Sequence, residues 1–156
     1  MYKTDGKAPA PNVVLYVYHT DQKGLYSGGE KETGWGKRHG SIRGWLKTNE
    51  KGEYKFYTLV PASYPNSDAE QHIHTTIKEE GFSEYYIDEF LFDDDPFLTS
   101  AKRKRLQNRG GNGVLVTELK DGVYYAERNI YLGRNIPGYP QPSVGLRSGL
   151  ELGDNC

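Results

Sequence analysis

Val13-Val14-Leu15-Tyr16-Val17-Tyr18-His19 decides the fold, because both of its alternating faces carry side chains that tolerate burial. Residues two apart on a strand share a face. Val13, Leu15 and Val17 therefore point one way, and Val14, Tyr16 and Tyr18 the other. A strand that can be buried on both sides belongs in the middle of a sheet. Further along the chain, residues 41–48 and 53–60 flank the polar turn Asn49-Glu50-Lys51-Gly52, which predicts a hairpin. Residues 71–78 and the aromatic and β-branched stretch 84–92 add strands, and residues 113–119 and 123–132 flank a second hairpin turn, Lys120-Asp121-Gly122.

Little helix is expected. Pro96 suits a first helical position after Asp95, so one short helix is predicted over residues 96–109, after the segment from Phe92 to Pro96. Residues 28–40 read as a polar, glycine-rich loop that could roof a pocket, with Trp35, Arg38 and His39 as its substantial side chains and candidate substrate contacts. From Gly133 onward, Pro137, Pro140 and Pro142 predict extended surface chain.

Composition agrees. The 156 residues include 19 glycines, 8 prolines and 13 tyrosines, which favours an all-β fold, an antiparallel β-sandwich with long loops. The expected organisation is one domain over residues 1–142 and a C-terminal tail over 143–156. A net charge of −1 gives no sign of a nucleic-acid or membrane partner, and Lys102-Arg103-Lys104-Arg105 reads as a solvated helix face. No apolar run approaches the length that spans a bilayer. The single cysteine, Cys156, excludes an internal disulfide framework and leaves the compartment unread. Cytoplasmic residence is the default expectation, with an exported form the alternative if an N-terminal signal was trimmed.

Two histidines at 72 and 74, separated by Ile73, can aim two ring nitrogens at one point from the same strand face. A histidine pair of this kind is as often solvated as ligating. Two phenols strengthen the metal reading. Tyr64 sits between Ser63 and Pro65, where the backbone turns, and Tyr26 follows Gly24 at the end of the first strand. Anionic phenolates hold a hard trivalent cation better than neutral donors do. The plainer alternative is that both tyrosines pack an aromatic-rich core.

These segments resemble the intradiol ring-cleavage dioxygenases, the family of catechol 1,2-dioxygenase and protocatechuate 3,4-dioxygenase. The resemblance runs from Val17-Tyr18-His19-Thr20-Asp21 and Gly24-Leu25-Tyr26 through Ile42-Arg43-Gly44-Trp45, Thr48-Asn49 and Gly52-Glu53-Tyr54-Lys55-Phe56. It continues through Leu59-Val60-Pro61, Tyr64-Pro65, His72-Ile73-His74 and Phe92-Asp93-Asp94-Asp95-Pro96. It implies a non-haem Fe(III) ion held by Tyr26, Tyr64, His72 and His74. It also implies a small aromatic diol and O2 as partners in cleavage between the two hydroxylated carbons. Tyr64 would be the phenolate that leaves when the diol binds, while Tyr26 stays. The chain resembles a minimal catalytic domain with a trimmed or processed start, and a homo-oligomer is compatible with it.

The resemblance has two departures. Ala69-Glu70-Gln71 stands where the family carries an arginine three residues before the first histidine, and Asp88-Glu89 replaces a Thr-Gln pair. Glu89 is therefore a candidate substrate contact, expected to pair with Arg43 or Arg38 and to shift preference away from simple catechol. His19 is expected to play a structural hydrogen-bonding role, and Arg43 to join an ion pair. Two rivals remain. One is a non-catalytic β-sandwich binding module of the transthyretin-like or carbohydrate-binding sort. The other is a zinc enzyme using the histidine pair with Glu70 or Asp68.

Overall fold

The structure is a computed structural model described for residues 1–139, so the expected tail at 143–156 lies outside the described residues. The predicted central strand is there: β1 (Val14–Tyr18) alternates half-buried and buried positions and pairs antiparallel on both sides. One neighbour is β2 (Arg43–Lys47), and the other is β3 (His72–Lys78). Beyond β3 the sheet continues through β5 (Phe90–Phe92) to β6 (Val114–Leu115), and β4 (Tyr85–Tyr86) pairs with the far end of β3. A two-stranded hairpin, β7 (Glu118–Lys120) and β8 (Val123–Tyr125), forms a second, smaller sheet. The architecture is all-β. Among the described residues, the departures from antiparallel pairing are the parallel contact of β5 with β6 and the isolated parallel bridge of Tyr2 with Tyr131.

The large sheet divides the molecule into two chemistries. Leu15, Val17, Ile73 and Ile77 face the core and are 0–6% exposed. They pack with Phe90, Phe92, Leu115, Ile130 and Leu132, and Tyr54 and Phe56 lean against them. Burying side chains of this size contributes about 1.5–3 kcal/mol each. A cavity of about 950 Å³ opens on this core side, lined by Phe56, Ile73, Phe90, Phe92, Leu115 and Arg128. The opposite face carries Tyr16, Tyr18, His72 and His74.

Several sequence expectations change. The hairpin turn at Asn49 forms, with the Asn49 side chain accepting from the amides of Lys51 and Glu53, yet residues 53–60 enter no ladder among the described residues. Their extended chain is held by side chains instead, as when the Tyr54 hydroxyl donates to the Arg128 carbonyl at 2.8 Å. The stretch 84–92 breaks into β4 and β5, and strand content in 113–132 shrinks to three short pieces around the expected Asp121-Gly122 turn. The helix expected over 96–109 is the single turn α2 (Ser100–Arg103), capped by the Thr99 hydroxyl, and Pro96 lies in the turn before it. Conversely, the loop 28–40 contains α1 (Gly34–His39), which ends at Gly40 with φ 72°. Residues 133–139 are not extended chain: successive turns carry Tyr139 back to stack on Phe82 and donate to Glu79 at 3.1 Å.

One close approach positions the site. The amide of Gly24 donates to Asp21, the amide of Ala62 donates to the same carbonyl, and the Thr20 hydroxyl donates to the Ala62 carbonyl. Gly24 has φ 76°, and a Cβ there would overlap the Ser63 carbonyl. The loop carrying Tyr26 is thereby stitched to the loop carrying Tyr64. Gly24→Ala is expected to cost about 1–3 kcal/mol in urea unfolding. A variant as stable as the parent would show that this approach is not required.

His19 takes the structural role expected of it, 3% exposed, with Nδ1–H donating to the Thr20 carbonyl and Nε2 accepting from the Thr58 hydroxyl, each at 2.7 Å. Burial holds its pKa below the ordinary 6.5. The unfolded chain then binds more protons than the fold below pH 6.5. Its stabilisation is present in full above that pH and is lost as pH falls through the lower folded value. His39 and His72 act with the same sign. The urea midpoint of the metal-free protein is expected to fall between about pH 8 and about pH 5, less steeply in His19→Gln. An equal slope in the variant would remove His19 as a source of the effect.

Candidate metal centre

Alternation on β3 aims His72 and His74 off the same face, and the stitched loops lower Tyr26 and Tyr64 onto them. The four heteroatoms converge. Tyr26 Oη stands 2.6 Å from Tyr64 Oη and 2.8 Å from His74 Nε2. Tyr64 Oη lies 2.9 Å from His72 Nε2 and 3.4 Å from His74 Nε2, and the two Nε2 atoms are 3.2 Å apart. Donors about 2 Å from a common ion and arranged tetrahedrally stand about 3.3 Å from one another. The cluster is therefore already near the size of a coordination sphere.

Proton counting shows what the cluster lacks. His72 Nδ1–H donates outward to the Glu70 carbonyl at 2.6 Å, and His74 Nδ1 faces Glu89 Oε1 at 3.6 Å. His72 Nε2 is then a lone-pair acceptor, and the two phenols with His74 bring at most three protons to five close contacts. If Tyr26 donates to His74 and Tyr64 to His72, the two oxygens and the two nitrogens face each other with lone pairs. A cation among them converts that repulsion into binding. Two oxygens that become anionic and two imidazoles form a donor set that fits ferric iron, whose hardness favours phenolate oxygen. Burial first, then the contact with Tyr64, holds the Tyr26 pKa above the ordinary phenol value of 10.0, so a bound cation must displace its proton.

The surroundings brace these ligands. Tyr18 stacks on His74 with centroids 4.5 Å apart, and His39 lies parallel to the other side of Tyr18 at 3.7 Å. The Tyr16 hydroxyl is 2.8 Å from His39 Nδ1, which fastens α1 to the sheet. Gly40 packs directly behind the Tyr26 backbone. Asp95, 5% exposed, accepts from the Gln71 amide and fixes the start of β3, and Lys102 of α2 pairs with Glu70 at 3.3 Å. The His39–Tyr18–His74 stack and the Asp95 contact could not be found from sequence, because their partners lie far apart in the chain.

The candidate substrate contacts fare less evenly. Trp35 and His39 share α1, with ring centroids 4.7 Å apart, and Trp35 is 59% exposed. Arg38 lies over the Trp35 ring at 5.4 Å rather than beside Glu89, and Arg43 pairs with Glu32 at 3.6 Å and donates to the Gly40 carbonyl. The arginine partner expected for Glu89 is thus replaced by His74. Lys102 occupies Glu70, and among the described residues no group of three or more His, Cys, Asp or Glu gathers to hold a metal, which removes the zinc arrangement with Glu70 or Asp68.

No family model and no curated protein matches the chain. Solved structures do. The dioxygenase domain of a dioxygenase–carbohydrate-binding protein fusion from the cellulolytic bacterium Streptomyces sp. SirexAA-E superposes with a TM-score of 0.58 at 18% identity, over 84% of this chain and 73% of that one. An intradiol ring-cleavage dioxygenase from Tetranychus urticae gives 0.58 at 21% identity, over 83% and 75%. The 3-chlorocatechol 1,2-dioxygenase from Rhodococcus opacus 1CP gives 0.61 at 18% identity, over 83% of this chain and 54% of that longer one. The chain has the fold of the intradiol ring-cleavage dioxygenases.

Proposed function

We propose that the chain is a non-haem ferric dioxygenase that opens the ring of a catechol-type substrate between its two hydroxylated carbons. The observation that carries this reading is the four-donor cluster of Tyr26, Tyr64, His72 and His74, with more lone pairs than protons. A binding module on the same fold has no use for such a cluster. Ferric iron bound there would supply a Lewis-acidic, redox-active centre for activating an aromatic diol toward O2.

The chain's own residues provide geometry and proton handling. His72 and His74 hold their Nε2 atoms inward, because the carbonyl of Glu70 and the carboxylate of Glu89 occupy their Nδ1 sides. Tyr26 is fixed from behind by Gly40 and stays in place. Tyr64 sits on a loop between Ser63 and Pro65, next to exposed Pro65 and Asn66. Its phenolate oxygen is placed to accept a proton from an entering diol hydroxyl and to swing aside. Trp35, 59% exposed at the outer end of the stack of His74, Tyr18 and His39, offers an aromatic side chain against which an entering ring can be oriented.

Purified protein loaded with ferric iron is expected to be burgundy through phenolate-to-metal charge transfer. It should consume O2 when given catechols and yield ring-opened diacids. A chelator should remove colour and turnover together, and ferric iron but not zinc should restore both. Tyr26→Phe and His72→Gln should each reduce turnover by more than about 100-fold, since even outer-shell changes at metal sites cost about 10–100-fold. A colourless iron-loaded protein, or full activity in Tyr26→Phe, would refute the assignment.

A further inference from the structure

The two histidines are braced by groups of different charge. His72 Nδ1–H meets a neutral peptide carbonyl, that of Glu70, at 2.6 Å. His74 Nδ1 meets a carboxylate, Glu89 Oε1, at 3.6 Å. That separation is longer than a formed hydrogen bond, so the carboxylate acts on the imidazole through its charge.

Glu89 is held in this position by its backbone. The Asp88 carbonyl accepts from Arg128 at 2.7 Å and from the Thr75 hydroxyl at 3.1 Å, while the Asp88 amide donates to the Arg109 carbonyl. The Asp88 carboxylate accepts from the Asn108 amide at 2.7 Å. On the other side, Gly113 packs so closely on the Glu89 carbonyl that a Cβ would not fit, and Arg128 lies 4.8 Å over the Phe90 ring. The side chain is 45% exposed, and the two arginines expected to meet it are engaged elsewhere. Arg43 is engaged by Glu32 and Gly40, and Arg38 lies over Trp35. Among the described residues, the ion-pair partner of Glu89 is His74.

We propose that Glu89 is a positioning residue for His74, whose charge, delivered through the imidazole, strengthens the hold of the site on a trivalent metal. The inference rests on the ferric reading above. Two phenolates leave one positive charge on a bound ferric ion, and Glu89 offsets it from the far side of His74. A carboxylate behind a ligating imidazole makes that ring a more basic donor.

Glu89→Gln keeps the shape and removes the charge, and Glu89→Ala removes both. Ferric affinity is measured by chelator competition, alongside the position of the visible band and the unfolding midpoint of the metal-free protein. Expected is a loss of about 10- to 100-fold in ferric affinity for Glu89→Gln, with at least as large a loss for Glu89→Ala. The band should move to longer wavelength, because a less compensated ferric ion draws phenolate electrons more easily. The metal-free unfolding midpoint of Glu89→Gln should stay at the parent value, separating a role at the metal from one in folding. If the parent binds iron and is coloured but both variants match it in affinity and band position, the inference falls and the ferric reading stands. If the parent takes up no ferric iron, both fall together.

Discussion

The ladder between β1 and β3 is the constraint on which the rest depends. Its register sets Leu15 against Ile77, Val17 against Thr75 and Tyr18 against His74. The first pair is 0% exposed on both sides, so a slip of one residue would bring core side chains to the opposite face and turn the histidines inward. The burial that holds the sheet together therefore also points two imidazoles at one spot. Stability and function share a single alternation.

Around that ladder, the site is assembled from pieces that are weak alone. Neither phenol belongs to a regular element: Tyr26 and Tyr64 sit on loops joined by backbone hydrogen bonds to Asp21 and by the close packing of Gly24 on Ser63. α1 is six residues long, too short to be stable by itself, and is fastened by His39 stacking on Tyr18 and meeting the Tyr16 hydroxyl. α2 is one turn whose Lys102 steadies the segment before His72 through Glu70 and the Asp68 carbonyl. Loops carry both phenols, of which Tyr64 is the one proposed to leave, and the sheet carries the two imidazoles. This division suits a centre in which one phenol must move and two imidazoles must not.

The cluster of Tyr26, Tyr64, His72 and His74 brings more lone pairs than protons to one half-buried spot. A half-buried group of two phenols and two imidazoles could satisfy itself with hydrogen bonds only if donors and acceptors were matched, and here the acceptors outnumber the donors. The His72 Nδ1 proton is turned outward to the Glu70 carbonyl, and His74 Nδ1 faces the Glu89 carboxylate. The same outward partners are what a metal site needs to orient its ligands. Glu89, like Ala69, is a place where this chain differs in charge from the family pattern it resembles, and the partner of Glu89 is an imidazole, not an arginine.

Local pattern was enough for the central strand, the histidine pair, the turns at Asn49 and Asp121 and the two phenols, because alternation and turn chemistry are short-range properties of a chain. The sequence failed where pairing depends on distant partners. Residues 53–60 have strand character but no ladder, the expected long helix after Asp95 closes after one turn, and a six-residue helix forms inside a glycine-rich loop because His39 gains a stacking partner there. Glu89 shows the same limit, since no local signal tells a carboxylate which cation it will meet. What the sequence determined by itself is which side chains exist and which face of a strand each occupies. Only the tertiary structure decided that four of them converge, because that depends on loops separated by 38 residues closing onto one strand face.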